Sequence, residues 1–235
     1  MDEKTAQAAR AADAAELQEV EAACRNRCAM YGLLARLYRV EVDAELLEQL
    51  KATPFPTDTG SELMDKGYGL MNDYLAGAWG GTLTDLAVDY VRSFLGHGTD
   101  GESAAYLYES AYLSEKHLLM QDARDEVLAV YRSECVDKAE GWTVGEDHLA
   151  AELEFMQVLS ERCAAAAAQG DTEVLAHNVQ VQRAFLADHL MHWVPDFVRL
   201  VQRFSKTDFY RGLATLTEGF LALDAEVLNE LDDAA

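Results

Sequence analysis

The chain has 235 residues, half of them hydrophobic, with 42 acidic side chains against 19 basic ones and a formal net charge of −23. A body of this length buries roughly 70–75% of its unfolded surface and needs no disulfide or metal staple. The acid surplus argues against a nucleic-acid binder, which needs clustered Lys and Arg to neutralise phosphates, and against docking on an anionic membrane. It suits solubility and the attraction of basic peptides.

Only three prolines occur, Pro54, Pro56 and Pro195, and Ala, Leu and Glu are abundant, which favours helix nearly throughout. Residues 1–22 read as a helical lead-in without the apolar run of a secretory signal, and residues 23–235 as the main domain. No apolar stretch is long enough to span a bilayer, so a cytoplasmic location is expected. Helical spacing of Cys24, Cys28, Tyr31, Leu34, Ala35 and Tyr38 predicts a helix to Val40, followed by a short one from Ala44 to Lys51. After the turn-rich stretch 53–60, a helix is predicted from Ser61 to Trp79, broken by Gly80-Gly81. Thr84 is placed to cap the next helix, Asp85 to Leu95. The glycine loop 96–103 has neither a strand before it nor a Lys-Ser/Thr after it, so it is no phosphate cradle. An aromatic patch, Tyr106, Tyr108 and Tyr112, precedes a helix from about Glu115 to Glu134. The break 139–145 ends in Thr143 and Glu146, spaced as a capping box. The helix after it runs to Gln169, where Gly170 stops it. Asp171 or Thr172 caps a helix through His192, Pro195 opens its successor to Ser205, and Asp208 to Leu231 closes the chain. The expectation is an all-α fold of about ten helices in one compact body. A hinge near 137–145 could divide two lobes with a groove between them, and it leaves both a monomer and a swapped dimer open.

Glu146, Asp147, Glu152 and Glu154 bring four carboxylates, with the imidazole of His148, into nine residues, and no Lys or Arg occurs from Ala139 to Glu161. On a helix, His148 and Glu152 share a face, Asp147 and Glu154 share a neighbouring one, and Leu149, Leu153 and Met156 point the other way. The charged side is expected to be exposed. It could bind a metal, act as acid and base, receive a cation, or be a solvated helix start favoured by the helix dipole. No Glu-x-x-His pair exists, as a di-metal bundle would require. Cys24, Cys28, Cys135 and Cys163 lack the spacing of a closed metal site and read as free buried thiols. His189 and His192 lie three apart, and His189 reads as a packed side chain beside Trp193. No Gly-x-Ser-x-Gly or dinucleotide fingerprint occurs, so neither catalysis nor a cofactor is expected. Tyr90, Phe94, Tyr108 and Tyr112 read either as core or as the wall of an apolar groove with hydroxyls at its rim.

Four segments, in order, resemble the TorD/DmsD/NarJ family of redox-enzyme maturation chaperones. They are Tyr90-Val91-Arg92-Ser93-Phe94-Leu95-Gly96, Tyr108-Glu109-Ser110-Ala111-Tyr112, Glu146-Asp147-His148-Leu149-x-x-Glu152-Leu153-Glu154-Phe155-Met156, and His189-Leu190-x-x-Trp193-x-Pro195-x-Phe197 followed by Phe209-Tyr210-x-x-Leu213-Ala214. The chain departs from the family pattern in lacking prolines after Gly96 and in having Gly145, not proline, before Glu146. The resemblance implies an all-helical cytoplasmic chaperone without catalytic activity. It would bind the twin-arginine signal peptide of a molybdoenzyme of the DMSO/TMAO-reductase type and hold it until the molybdenum cofactor is loaded. A NarJ-type chaperone for a non-exported subunit is the alternative, and a metal-binding helical enzyme a more distant one. Peptide-binding candidates are Tyr90, Phe94, Tyr108, Glu109, Ser110, Tyr112, Asp147, His148, Glu152, Glu154, His189 and Trp193. Asp147 and Glu154 are expected to receive arginines, His148 to orient a carboxylate, and the tyrosines to border an apolar channel. Guanidinium forks pair best with carboxylates, and the apolar part of a leader suits a hydrophobic groove.

Overall fold

Helix formers dominate the sequence, and the computed structural model, which describes residues 3–96, 103–113 and 122–234, is helical almost throughout. The helices are α1 (Glu3–Arg39), α2 (Ala44–Ala52), α3 (Glu62–Ala76), α4 (Thr82–Tyr90), the single turn α5 (Ser110–Leu113), α6 (Asp122–Ser133), α7 (Leu149–Gln169), α8 (Thr172–Phe185), α9 (Met191–Phe204) and α10 (Asp208–Ala234). Among the described residues the only β pairing is one isolated antiparallel bridge, Tyr108 with His148. No described helix is long and apolar enough to cross a membrane.

Several boundaries follow local chemistry read from the sequence. Asp171 caps α8 by accepting from Val174 N, and Gly170, at φ +69°, ends α7 in the left-handed conformation that costs glycine least. Ser61 and Asp43 cap α3 and α2 in the same way. Other expectations are corrected. The helix from Ser61 stops at Ala76 rather than Trp79, because Thr82 Oγ1 accepts from Trp79 N and holds a turn there. Consequently α4 starts at Thr82, and Thr84 is not its cap. Thr143 and Glu146 form no capping box: α7 starts at Leu149, with His148 as N-cap. The expected helix from Glu115 begins in the structure at Asp122, and residues 114–121 lie outside those described, as do 97–102 of the glycine loop.

The two predicted helices meeting near Pro195 are one continuous rod. Between α8 and α9 lies a π turn, Leu186–Leu190, in which Met191 N donates to Leu186 O. A second π turn, Val91–Leu95, extends α4 and ends at Gly96, φ +69°. Pro195 therefore sits inside α9. Its missing N–H falls early in α9, just beyond the π turn.

The core lies where α7 meets α1 and where α10 meets α3. In the second contact, a Cβ at Gly67 would come within 2.6 Å of Leu216 N, and one at Gly212 within 2.6 Å of Gly67 O, so only glycine permits this approach. Between the two layers lies a web of edge-to-face rings. Phe94 meets Tyr38 at 5.8 Å, Tyr90 at 5.1 Å and Tyr210 at 5.4 Å, and stacks on Phe197 at 6.0 Å. A polar network crosses this interior. Arg27 on α1 donates to both carboxylate oxygens of Asp224 on α10, at 2.5 and 2.9 Å, and to Gln182 on α8, while Tyr31 donates to Asp224 at 2.6 Å. Asp89, missed by sequence reasoning, is buried and accepts from Lys206 N, Thr207 N and the Thr207 hydroxyl, so it clamps the corner between α9 and α10. Cys24 and Cys163 are buried as expected, but Cys28 is only partly covered and Cys135 is exposed.

Candidate functional site

The second, third and fourth of the motifs singled out above converge on one buried cluster. Backbone hydrogen bonds zip residues 107–109 to 147–149: Glu109 N donates to Asp147 O at 3.0 Å and Leu149 N to Leu107 O at 2.8 Å. The pairing places Ser110 N against Asp147 Oδ2 at 3.1 Å and the Tyr108 ring edge-on to His148 at 4.9 Å. From the rod formed by α8, the π turn and α9, His189 brings Nδ1 to 3.1 and 3.2 Å from the two Glu109 oxygens. One turn on, Trp193 Nε1 donates to Glu152 Oε2 at 3.2 Å.

Glu109, Asp147 and Glu152 are therefore interior acids, with 1%, 0% and 0% of their surface exposed. This corrects the expectation that Asp147, His148 and Glu152 face solvent. The start of α7 is buried all round, from Leu149 to Leu153, so no side of it is left for water. Their hydrogen bonding is incomplete. Asp147 Oδ1, Glu152 Oε1 and Ser110 Oγ are buried without a partner, which is costly for a carboxylate. Burial, together with neighbouring Glu109, pushes the Glu152 carboxyl well above the usual carboxylate range. The cationic Arg124 also acts on Asp147, but its hydrogen bonds go to Glu146 and Asp125.

The other two acids of the hallmark are already paired. Burial opposes ionisation of Glu146, but hydrogen bonds from Lys138 and Arg124 outweigh it and hold its carboxyl at about 2. Those bonds measure 2.8 and 2.5 Å. The missing local cations are thus supplied from elsewhere in the chain. Glu154, half-exposed, lies 3.5 Å from Arg39 of α1. It does not join Asp147 in one site. Tyr90 and Phe94 are core residues, with the Tyr90 hydroxyl donating to Tyr38 O at 2.8 Å. That removes them from the wall of an open channel. Tyr108 and Tyr112 remain part-exposed beside the cluster; Tyr112 donates to Tyr106 O at 2.9 Å and packs on Trp193 at 5.1 Å. Sequence reasoning missed Arg39, Arg124, Lys138 and Trp142. Trp142, the aromatic residue in the break before the hallmark, was the one signal available.

His148 has a narrower task than the sequence suggested. Its Nδ1 accepts from Ala150 N at 3.1 Å, capping α7. Burial lowers its pKa from 6.5 to about 4, so the ring is neutral. An unfolded His148 takes up its proton as the pH falls through 6.5, the folded one only near 4. Its contribution is fully present above 6.5 and is lost as acidification proceeds toward 4, by about 3 kcal/mol in all. Glu152 titrates in the opposite sense, so the comparison must be with a variant. His148→Asn keeps a capping acceptor and removes the titration. In urea melts between pH 7 and 4, wild type is expected to lose about 3 kcal/mol relative to that variant; parallel pH profiles would contradict the buried neutral imidazole.

Chemically, the cluster can hold a cationic hydrogen-bond donor. Among the described residues no group of three or more His, Cys, Asp or Glu side chains could hold a metal ion. Residues 61–199 match the family described as nitrate reductase delta subunit. The chain is 25% identical over 212 residues to the chaperone protein TorD of Shewanella loihica, covering 86% of this chain and 92% of that one. It is 27% identical over 226 residues to TorD of Shewanella pealeana, covering 91% and 94%. With TorD of Photobacterium profundum the identity is 28% over 144 residues, 61% of this chain and 64% of the relative, so that match spans less than two thirds of the relative's length. The all-helical fold and these matches to named chaperones define an all-helical chaperone rather than an enzyme. The chain belongs to the TorD/NarJ family of redox-enzyme maturation chaperones.

Proposed function

We propose that this chain binds the twin-arginine signal peptide of a molybdoenzyme in the cytoplasm and retains that client until its molybdenum cofactor is inserted. The observation that carries this reading is the set of three interior acids, Glu109, Asp147 and Glu152, with unpaired oxygens on Asp147 and Glu152. A fold that keeps such atoms dry bears an energetic cost that a guanidinium relieves, because its planar fork supplies several donors and a positive charge at once. The leader reaches the acids past Tyr108 and Tyr112, whose part-exposed rings favour the apolar residues that follow the arginines. Lysine is a poorer substitute, since its compact, strongly hydrated charge cannot bridge two carboxylates in one plane.

Calorimetry of the purified chain with a synthetic leader tests this. Changing both leader arginines to lysine is expected to weaken binding about tenfold or more, and raising salt to weaken it further. Equal affinity for both leaders, at low and high salt alike, removes the guanidinium reading. A second reading is favoured by the family's description as nitrate reductase delta subunit: a client whose amino-terminus is not exported. In that case the protein that copurifies with this chain carries no paired arginines, and binding follows its apolar residues instead.

A further inference from the structure

A guanidinium already rests against the hallmark helix, and it belongs to the chain itself. Arg39, in the last turn of α1, lies with its guanidinium carbon 4.1 Å from the centre of the Trp142 ring and its Nη1 3.5 Å from Glu154 Oε1. Both ends are reachable from solvent, the side chains being 40% and 37% exposed. The contact is a loose one. A single N–H meets one carboxylate oxygen at the outer limit of hydrogen-bond distance, leaving the second oxygen and the remaining donors unused.

The surface beneath Arg39 is fixed more firmly than Arg39 is. Trp142 N donates to Ala139 O, Gly141 takes φ +93°, and Lys138 Nζ ties the far side of the loop to Val144 O at 2.6 Å. These contacts fix the loop that carries the ring, and Trp142 itself packs against the core. Next to Trp142 and Glu154 opens a groove of about 220 Å³ whose apolar lining includes Val136, Phe155 and Val158. An aromatic face, a carboxylate and an adjoining apolar slot suit an arginine followed by an apolar residue.

We propose that Trp142 and Glu154 form a guanidinium cradle, occupied by Arg39 in the free protein and taken over on binding by one arginine of a basic peptide, whose next apolar residue enters the Val136–Phe155–Val158 groove. The identity of that peptide as the client leader rests on the reading above; the cradle itself does not.

The test uses the full chain and two probes. The first is Nα-acetyl-arginine methylamide, followed by titration calorimetry. Arg39→Ala, with its cradle vacated, is expected to bind it about fivefold more tightly than wild type, and the same variant with Trp142→Leu to lose that gain. Trp142→Leu keeps an apolar side chain beside the groove, and unchanged helicity verifies its fold. The second probe is the arginine leader itself. Arg39→Ala is expected to tighten its binding about threefold and Trp142→Leu to weaken it about tenfold. If Arg39→Ala gains nothing for the small probe, the cradle is wrong. If leader affinity ignores both changes but falls when Asp147 and Glu152 are neutralised, the exchange of Arg39 for a leader arginine is wrong and the leader reading stands. If the vacated cradle takes the small probe while the wild-type chain binds no leader, the cradle stands and the leader reading falls.

Discussion

Neutralising the two interior acids, Asp147→Asn with Glu152→Gln, is expected to weaken binding of an arginine leader by about a hundredfold or more. A hydrogen bond to a charged group is worth about 1.5–3 kcal/mol, roughly tenfold to a hundredfold for each carboxylate lost. The amide side chains are isosteric, so Ser110 N and Trp193 Nε1 still find an oxygen where Asp147 Oδ2 and Glu152 Oε2 now accept. Stability should hold or rise, because the change removes mutual repulsion between Glu109, Asp147 and Glu152 in a dry environment. That pairing of opposite effects separates function from folding. Calorimetry with the leader and urea denaturation of the same sample measure both, and wild-type affinity in the double variant would sink the proposed site.

The largest loss of stability is expected from Arg27→Met. Arg27 and Asp224 are both buried, at 5% and 1% exposure, and the arginine also serves Gln182. Burial works against the charged guanidinium, yet hydrogen bonding and charge attraction from Asp224 override it and raise its pKa. Removing one partner strands the other charge, at a cost of about 3–5 kcal/mol, a large part of the 5–15 kcal/mol that typically holds a domain together. Arg27→Met with Asp224→Leu removes both charges and should recover most of the loss. Equal urea midpoints for the single and double variants would show that packing, not the stranded carboxylate, governs the effect.

Much of the helical architecture was legible because its signals are local. Gly170 marks one helix end and Asp171, one of two cap candidates, starts the next, and apolar spacing placed Tyr31, Leu34 and Tyr38 correctly inside. The motif residues of the site were legible as strings, but their environment was not. Spacing reports which side chains share a helix face, not whether that face meets water, and α7 begins in a region where every face is covered. Glu152 therefore read as a surface charge. The pairing of Glu154 with Arg39 spans 115 residues of sequence and has no local signature. Glu146 was counted as unpaired because its cations, Arg124 and Lys138, lie upstream of the interval that holds no base. Both π turns were missed for a related reason: a single looped-in residue leaves composition and propensity untouched.

The π turn at Leu186–Leu190 has a consequence for how the interior acids are served. It lies between α8 and α9, and His189 within it reaches Glu109 while Trp193 just beyond it reaches Glu152. One surplus residue advances everything downstream by roughly a quarter-turn, about 100°. The stretch before it can thus keep its phase against α7 while the stretch after it keeps another against α10. An uninterrupted helix would have to forfeit one alignment to satisfy the other, and either the imidazole or the indole would swing away from its carboxylate.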